Sequence, residues 1–73
     1  MELQQMNELK DGDKVVLSKG RRTFDDSLPV GTILTRKKTW LDDDASVQFT
    51  YVNKAGDGDF HFFTNDEIDF IKE

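Results

Sequence analysis

The chain has 73 residues, with 15 acidic and 10 basic side chains and a formal net charge of −5 at pH 7. It contains no cysteine, so neither disulfide bonds nor a thiolate metal site can reinforce its core. Its start is too polar for a secretory signal, and no apolar run approaches the roughly 20 residues that span a bilayer. We therefore expect one small domain, residues 1–73, in the cytoplasm.

Residues 1–9 are predicted to be an N-terminal extension of this domain. Leu3, Met6 and Leu9 lie three apart, which fits a helical turn or a short cover over one open end of a barrel. A partly frayed terminus with one anchoring leucine is the alternative interpretation.

Turn residues placed before β-branched runs predict the first two strands. An Asp-Gly-Asp turn at residues 11–13 precedes the first strand, residues 14–18. Pro29 and Gly31 form the second turn, because proline presets its backbone angle and glycine can adopt one closed to other residues. Residues 19–30 are predicted to be a long polar loop that ends at this turn.

The second strand is predicted to run over residues 31–40. Ile33 shares one face of it with Lys37, while Leu34 shares the other with Arg36. Neither face is cleanly apolar, so we expect a bulge or bend near residues 36–38.

A hairpin follows as the third and fourth strands. Val47, Phe49 and Tyr51 alternate with polar residues, a period of two that indicates one buried face. The turn at residues 53–59 is rich in glycine and aspartate, and the fourth strand returns over residues 60–63.

One helical turn separates the fourth strand from the fifth. Thr64 and Glu67 have the spacing of a capping box, and residues 68–71 then resume strand-like alternation. Apolar side chains from all five strands are predicted to form one core: Val15, Leu17, Ile33, Val47, Phe49, Tyr51, Phe62, Ile68 and Phe70.

This order of elements predicts an all-β fold and resembles a known family. The phrases Leu9-x-x-Gly12-Asp13-x-Val15 and Pro29-x-Gly31-Thr32, with the turn at Asn65–Glu67, are similar to those of SH3-like small β-barrels. The relevant group contains KOW-type domains and the small barrel subunit of photosystem I. Over residues 9–72 the resemblance implies a five-stranded SH3-like barrel with one short helical turn before the last strand. The short, acidic, cysteine-free chain is also similar to bacteriophage proteins that act on host machinery.

Catalytic and metal chemistry find little support in the sequence. His61 is the only histidine, and with no cysteine it cannot build the usual zinc site. Asp57 and Asp59 match only the start of a calcium-binding loop, because no glutamate follows at the required spacing. No nucleophile–histidine–acid pattern or phosphate-binding glycine loop occurs. We expect no enzyme, no catalytic residues, no metal and no cofactor.

Two surfaces are candidate binding sites. The first is basic and aromatic and consists of Arg21, Arg22, Phe24, Arg36, Lys37, Lys38 and Trp40. The second is acidic and consists of Asp42, Asp43, Asp44, Asp57 and Asp59. For both, the alternative is a purely structural role: aromatic rings in the core or at its rim, and charges that only solubilise the chain. In SH3-like barrels the first long loop commonly borders the ligand surface, which implies that the two basic segments lie near one another.

The distribution of charge favours a protein as the partner. Up to Trp40 the chain has eight basic and six acidic residues, and from Leu41 onward it has two basic and nine acidic ones. Tight binding to a phosphate backbone needs a dominant positive charge, whereas segregated charges suit a complementary protein face. We predict a non-enzymatic module that docks on another protein, as a phage product modulating a host complex. The alternative is a nucleic-acid-binding barrel that uses the first loop and second strand. No membrane or small-molecule substrate is expected.

Overall fold

Five antiparallel strands form the main sheet of this protein, for which a computed structural model describes residues 1–22, 27–53 and 55–71. In chain order the elements are α1 (Leu3–Asn7), β1 (Lys14–Leu17), β2 (Arg21–Arg22), β3 (Ser27–Leu28), β4 (Ile33–Arg36), β5 (Ser46–Val52), β6 (Gly58–Thr64) and β7 (Ile68–Asp69). The main sheet has the order β6-β5-β4-β1-β7 and curls into a half-barrel, while β2 and β3 pair separately. A single 3₁₀ turn, Asn65–Glu67, precedes β7. The predicted all-β, barrel-like fold with one helical turn before the last strand is confirmed.

Strand β4 is shorter than the predicted second strand, and a side-chain ion pair explains where it ends. The N–H of Lys37 still donates to the carbonyl oxygen of Gln48, at 3.1 Å. The reciprocal hydrogen bond, from the Gln48 N–H to the Lys37 carbonyl oxygen, is replaced by two side-chain hydrogen bonds. The Gln48 N–H donates to Asp42 Oδ1 at 3.0 Å, and Arg36 Nη1 donates to the Lys37 carbonyl oxygen at 3.0 Å. The side chains of Arg36 and Asp42 thus take the place of one backbone hydrogen bond between β4 and β5. Strand β4 therefore ends at Arg36, in the region where the sequence predicted a bulge or bend.

The core occupies the concave side of the sheet and is closed by α1 and β3. Six of the predicted core residues are buried there: Val15, Leu17, Val47, Phe49, Tyr51 and Ile68. Five further apolar residues join the same cluster: Met6, Leu9, Leu28, Leu34 and Phe63. Met6 is fully buried, so the N-terminal extension acts as a cover and not as a frayed end.

The prediction that Ile33, Phe62 and Phe70 belong to the core was wrong. Ile33 and Phe70 are 47% and 45% exposed, and Phe62 is only half-buried. On β6 the pairing of Val47 with Phe63 places Phe63 over the core, where its ring meets that of Phe49 edge-on at 5.9 Å. Three phenylalanines in four residues fit either face of a strand, and the register with β5 decides which face is buried.

Candidate binding loop at Trp40

Trp40 is 89% exposed, the largest exposure among the large apolar side chains that the structure describes. Leu41, next to it, is 52% exposed. Lys37 and Lys38 precede the pair and are exposed as well. We call residues 37–41 the tryptophan loop. A side chain as large as tryptophan is usually mostly buried in a folded protein, so its presentation to solvent requires an explanation.

A buried ion pair holds the base of the tryptophan loop. Arg36 Nη2 lies 2.9 Å from Asp42 Oδ2, and the two side chains are 5% and 17% exposed. Arg36 Nη1 also donates to the carbonyl oxygens of Lys37 and Gln48, at 3.0 and 3.3 Å. Such a pair is stable in a low-dielectric setting only when further hydrogen bonds offset the loss of hydration. Here Nη1 and Nη2 of Arg36 are hydrogen-bonded, whereas its buried Nε has no hydrogen-bond partner among the described residues.

Backbone hydrogen bonds complete the support of the loop on both sides of Trp40. The N–H of Lys38 donates to Asp11 Oδ1 at 2.9 Å, and the N–H of Thr39 donates to Asp42 Oδ2 at 3.2 Å. The N–H of Leu41 donates to Thr39 Oγ1 at 3.3 Å. The exposed indole therefore stands on a backbone that is already ordered, which reduces the entropy lost when a partner binds.

The ionised form of Asp42 is favoured by this environment. Burial by itself raises the pKa of Asp42, but the N–H of Gln48, the Arg36 guanidinium and the N–H of Thr39 stabilise the carboxylate. These hydrogen bonds outweigh burial, so the pKa of Asp42 lies below its ordinary value of 3.8. The loop is therefore held in its observed form at neutral pH.

Two residues of the predicted basic surface, Arg21 and Arg36, form ion pairs and hydrogen bonds within the chain. Arg36 is buried in the ion pair with Asp42 and presents no guanidinium to a partner. Arg21 Nη1 donates to the carbonyl oxygen of Phe62 and lies 3.5 Å from Glu67 Oε1, while the guanidinium sits 4.5 Å from the centre of the Phe63 ring. It covers part of the free edge of β6 and gains a cation–π contact. Both of these guanidinium groups of the predicted basic surface are thus engaged in contacts within the chain.

The remaining residues of the predicted basic and aromatic surface include Lys37, Lys38 and Trp40, which all lie on the tryptophan loop. Phe24 and the side chain of Arg22 lie outside the described part of the chain. Sequence reasoning missed Leu41, although its position directly after the only tryptophan was a usable signal.

The acidic residues lie at two separate ends of β5. Asp42, Asp43 and Asp44 precede this strand, whereas Asp57 and Asp59 follow it around the hairpin turn. Seven residues at a rise of about 3.3 Å place the two groups roughly 20 Å apart. The carboxylate of Asp43 accepts the N–H groups of Ser46 and Ala45, which lower its pKa. The structure does not assemble these five residues into one acidic face.

Comparisons with protein-family models, with curated proteins and with solved structures gave no match to this chain. Within the described residues, no three histidine, cysteine, aspartate or glutamate side chains are grouped so that they could hold a metal ion. None of the described helices has the length and apolar character that crossing a membrane would require.

Proposed function

We propose that this chain is a non-enzymatic binding module that docks on another protein through the tryptophan loop. The observation that carries the proposal is the exposure of Trp40 on a backbone held by the Arg36–Asp42 pair and by Asp11. Protein interfaces concentrate their binding energy in a few aromatic residues that fill a pocket of the partner. An indole presented in this way fits that role, and the proposed setting is a phage product that modulates a host complex.

The charges around Trp40 suggest the chemistry of the partner. Lys37 and Lys38 are exposed on the loop, whereas the nearby carboxylates of Asp11 and Asp42 accept backbone hydrogen bonds. A partner with an apolar pocket and an acidic rim would match both the indole and the two ammonium groups. Rim charges of this kind steer the encounter and are sensitive to salt.

Replacing Trp40 by alanine should abolish most of the binding without unfolding the protein. Loss of a buried anchor at an interface costs about 2 kcal/mol or more, which is about thirtyfold in Kd. Because the ring is exposed, the free energy of unfolding should change by less than about 0.5 kcal/mol. A pull-down with the tagged protein, with and without nuclease, identifies the partner, and calorimetry with the purified partner measures the loss.

Val30→Ala is the matched control, since Val30 is 65% exposed and lies outside the tryptophan loop. Its affinity for the partner should equal that of the wild type. A partner that is retained equally by Trp40→Ala and by the control would refute the proposal. A partner that disappears on nuclease treatment would favour the nucleic-acid alternative.

Direct binding to nucleic acid is expected to be weak. With Arg21 and Arg36 engaged within the chain, Lys37 and Lys38 are the cations of the predicted basic surface that stay exposed among its described side chains. Two phosphate contacts give a slope of about −2 for log K against log salt concentration. Anisotropy with a random DNA duplex should show affinity weaker than micromolar at physiological salt. A tight complex with a much steeper slope, lost in Lys37→Gln/Lys38→Gln, would reverse this conclusion.

A further inference from the structure

The outer face of the sheet is nearly free of charge over three strands. Ten residues of β4, β5 and β6 alternate with those that face the core: Ile33, Thr35, Ser46, Gln48, Thr50, Val52, Gly58, Phe60, Phe62 and Thr64. None of the ten is charged, although charged residues make up 34% of the chain. Depletion of charge distinguishes the central part of a protein interface from the rest of a surface.

A groove of about 480 Å³ lies on this face where β4 and β5 cease to pair. The pairing of these strands includes Thr35 with Thr50 but does not extend to Ile33 and Val52. Ile33 and Val52 line the groove and are 47% and 70% exposed. The groove therefore has apolar walls that are open to solvent.

Lys14 supplies the positive charge of the groove. Its Nζ donates to Thr35 Oγ1 at 3.1 Å and forms no ion pair with any described residue. The pairing of Lys14 with Thr35 places the ammonium beside the rung that joins β4 to β5. An ammonium among threonines and apolar side chains is complementary to a carboxylate that arrives with an apolar neighbour.

We propose that this groove binds an extended segment of another protein in which an apolar side chain lies beside an aspartate or glutamate. The apolar side chain packs between Ile33 and Val52, and the carboxylate accepts a hydrogen bond from Lys14. This surface is distinct from the tryptophan loop, since Trp40 does not line the groove. The chain thus has a second docking surface with a preference for acidic, apolar segments.

Fluorescence anisotropy with labelled synthetic peptides tests the proposal. The probes are a panel of extended peptides in which leucine or phenylalanine alternates with aspartate, and the same panel with asparagine in place of aspartate. The acidic peptides should bind at least about tenfold more tightly than the neutral ones, the effect of one charge-assisted hydrogen bond. Lys14→Met should remove that difference, because it keeps the aliphatic stem and loses the ammonium.

Three variants locate the binding and separate it from the tryptophan loop. Val52→Asp should weaken the acidic peptides by about tenfold or more, since it places a like charge in the groove. Lys10→Met and Val30→Asp carry the same chemical changes at exposed positions outside the groove and should bind as the wild type does. Trp40→Ala should also bind normally, which distinguishes this site from the proposed function.

Several outcomes would overturn the groove proposal. One is the absence of binding across the acidic panel, and another is equal binding of acidic and neutral peptides. A third is loss of binding in Val30→Asp but not in Val52→Asp. The last is a dimer of the wild type, seen by size-exclusion chromatography, that Val52→Asp dissociates, because the face would then bind a second copy of the chain.

Discussion

Phe49→Ala should destabilise the domain by about 3–5 kcal/mol, the largest effect expected of any single substitution in the core. Phe49 is fully buried at the centre of β5, with its ring edge-on to Phe63 and 6.0 Å below the Arg36 guanidinium. Removing such a ring costs about 3–5 kcal/mol, because the cavity left behind collapses only in part. A chain of this length is expected to have a total stability of roughly 4–11 kcal/mol. The substitution therefore removes a large share of the free energy of folding.

Circular dichroism during thermal and urea unfolding measures this effect. Phe60→Ala is the matched control, since Phe60 lies on the outer face of β6 and is 52% exposed. The control should unfold cooperatively with a midpoint close to that of the wild type. A soluble Phe49→Ala variant that unfolds as the control does would contradict the assignment of β5 faces on which the core rests.

Asp42→Ala should destabilise the protein almost as much, although the sequence predicted Asp42 to lie on an acidic surface. The substitution leaves the Arg36 guanidinium buried without its counter-ion, a situation that costs about 3–5 kcal/mol. The N–H groups of Thr39 and Gln48 lose their acceptor at the same time. Urea unfolding should show a large fall in the midpoint, and the tryptophan loop should lose its fixed geometry.

Asp44→Ala provides the control for Asp42→Ala, because Asp44 is exposed and its removal changes the net charge equally. It should be neutral for stability. The double variant Arg36→Met/Asp42→Ala should recover part of the lost stability, since it removes the unpaired charge together with its partner. Equal midpoints for Asp42→Ala and Asp44→Ala would show that the ion pair contributes nothing.

The same ion pair has a defined dependence on pH. The pKa of Asp42 is lower in the folded protein than its ordinary value of 3.8, so the unfolded chain binds a proton more readily than the folded one. The stabilisation is complete well above pH 3.8 and is lost as the pH falls through the folded pKa. Asp42→Asn lacks this titration, so its loss of stability in acid should be smaller than that of the wild type.

Much of the secondary structure follows from short-range patterns. Gly12 and Gly31 have φ angles of 93° and 98°, the left-handed conformation that the predicted turns require. Thr64 and Glu67 form the predicted capping box, in which the N–H of Thr64 donates to Glu67 Oε1 at 3.0 Å. These features depend on residues three or fewer apart, so one sequence was enough to predict them.

The tryptophan loop was predictable only in part. The composition around Trp40 indicated an aromatic and basic segment, in which Lys37, Lys38 and Trp40 are exposed. The sequence could not distinguish these lysines from Arg36, because all three are cations in one short segment. The difference arises only when β4 and β5 come together and enclose the guanidinium with Asp42.

Local residues alone therefore determined the turns, the approximate positions of the five strands of the main sheet and the single helical turn before β7. They did not indicate β2 and β3, which lie in the segment predicted to be a long polar loop, nor the early end of β4 at Arg36. The tertiary structure decided which face of each strand is buried, because a period of two is satisfied equally by either face. The register between β5 and β6 pairs Val47 with Phe63, so Phe63 is buried and Phe62 is not. The tertiary structure also made Asp42 an internal partner and left Trp40 in solvent, since burial of a charge depends on a counter-charge that only folding brings within reach.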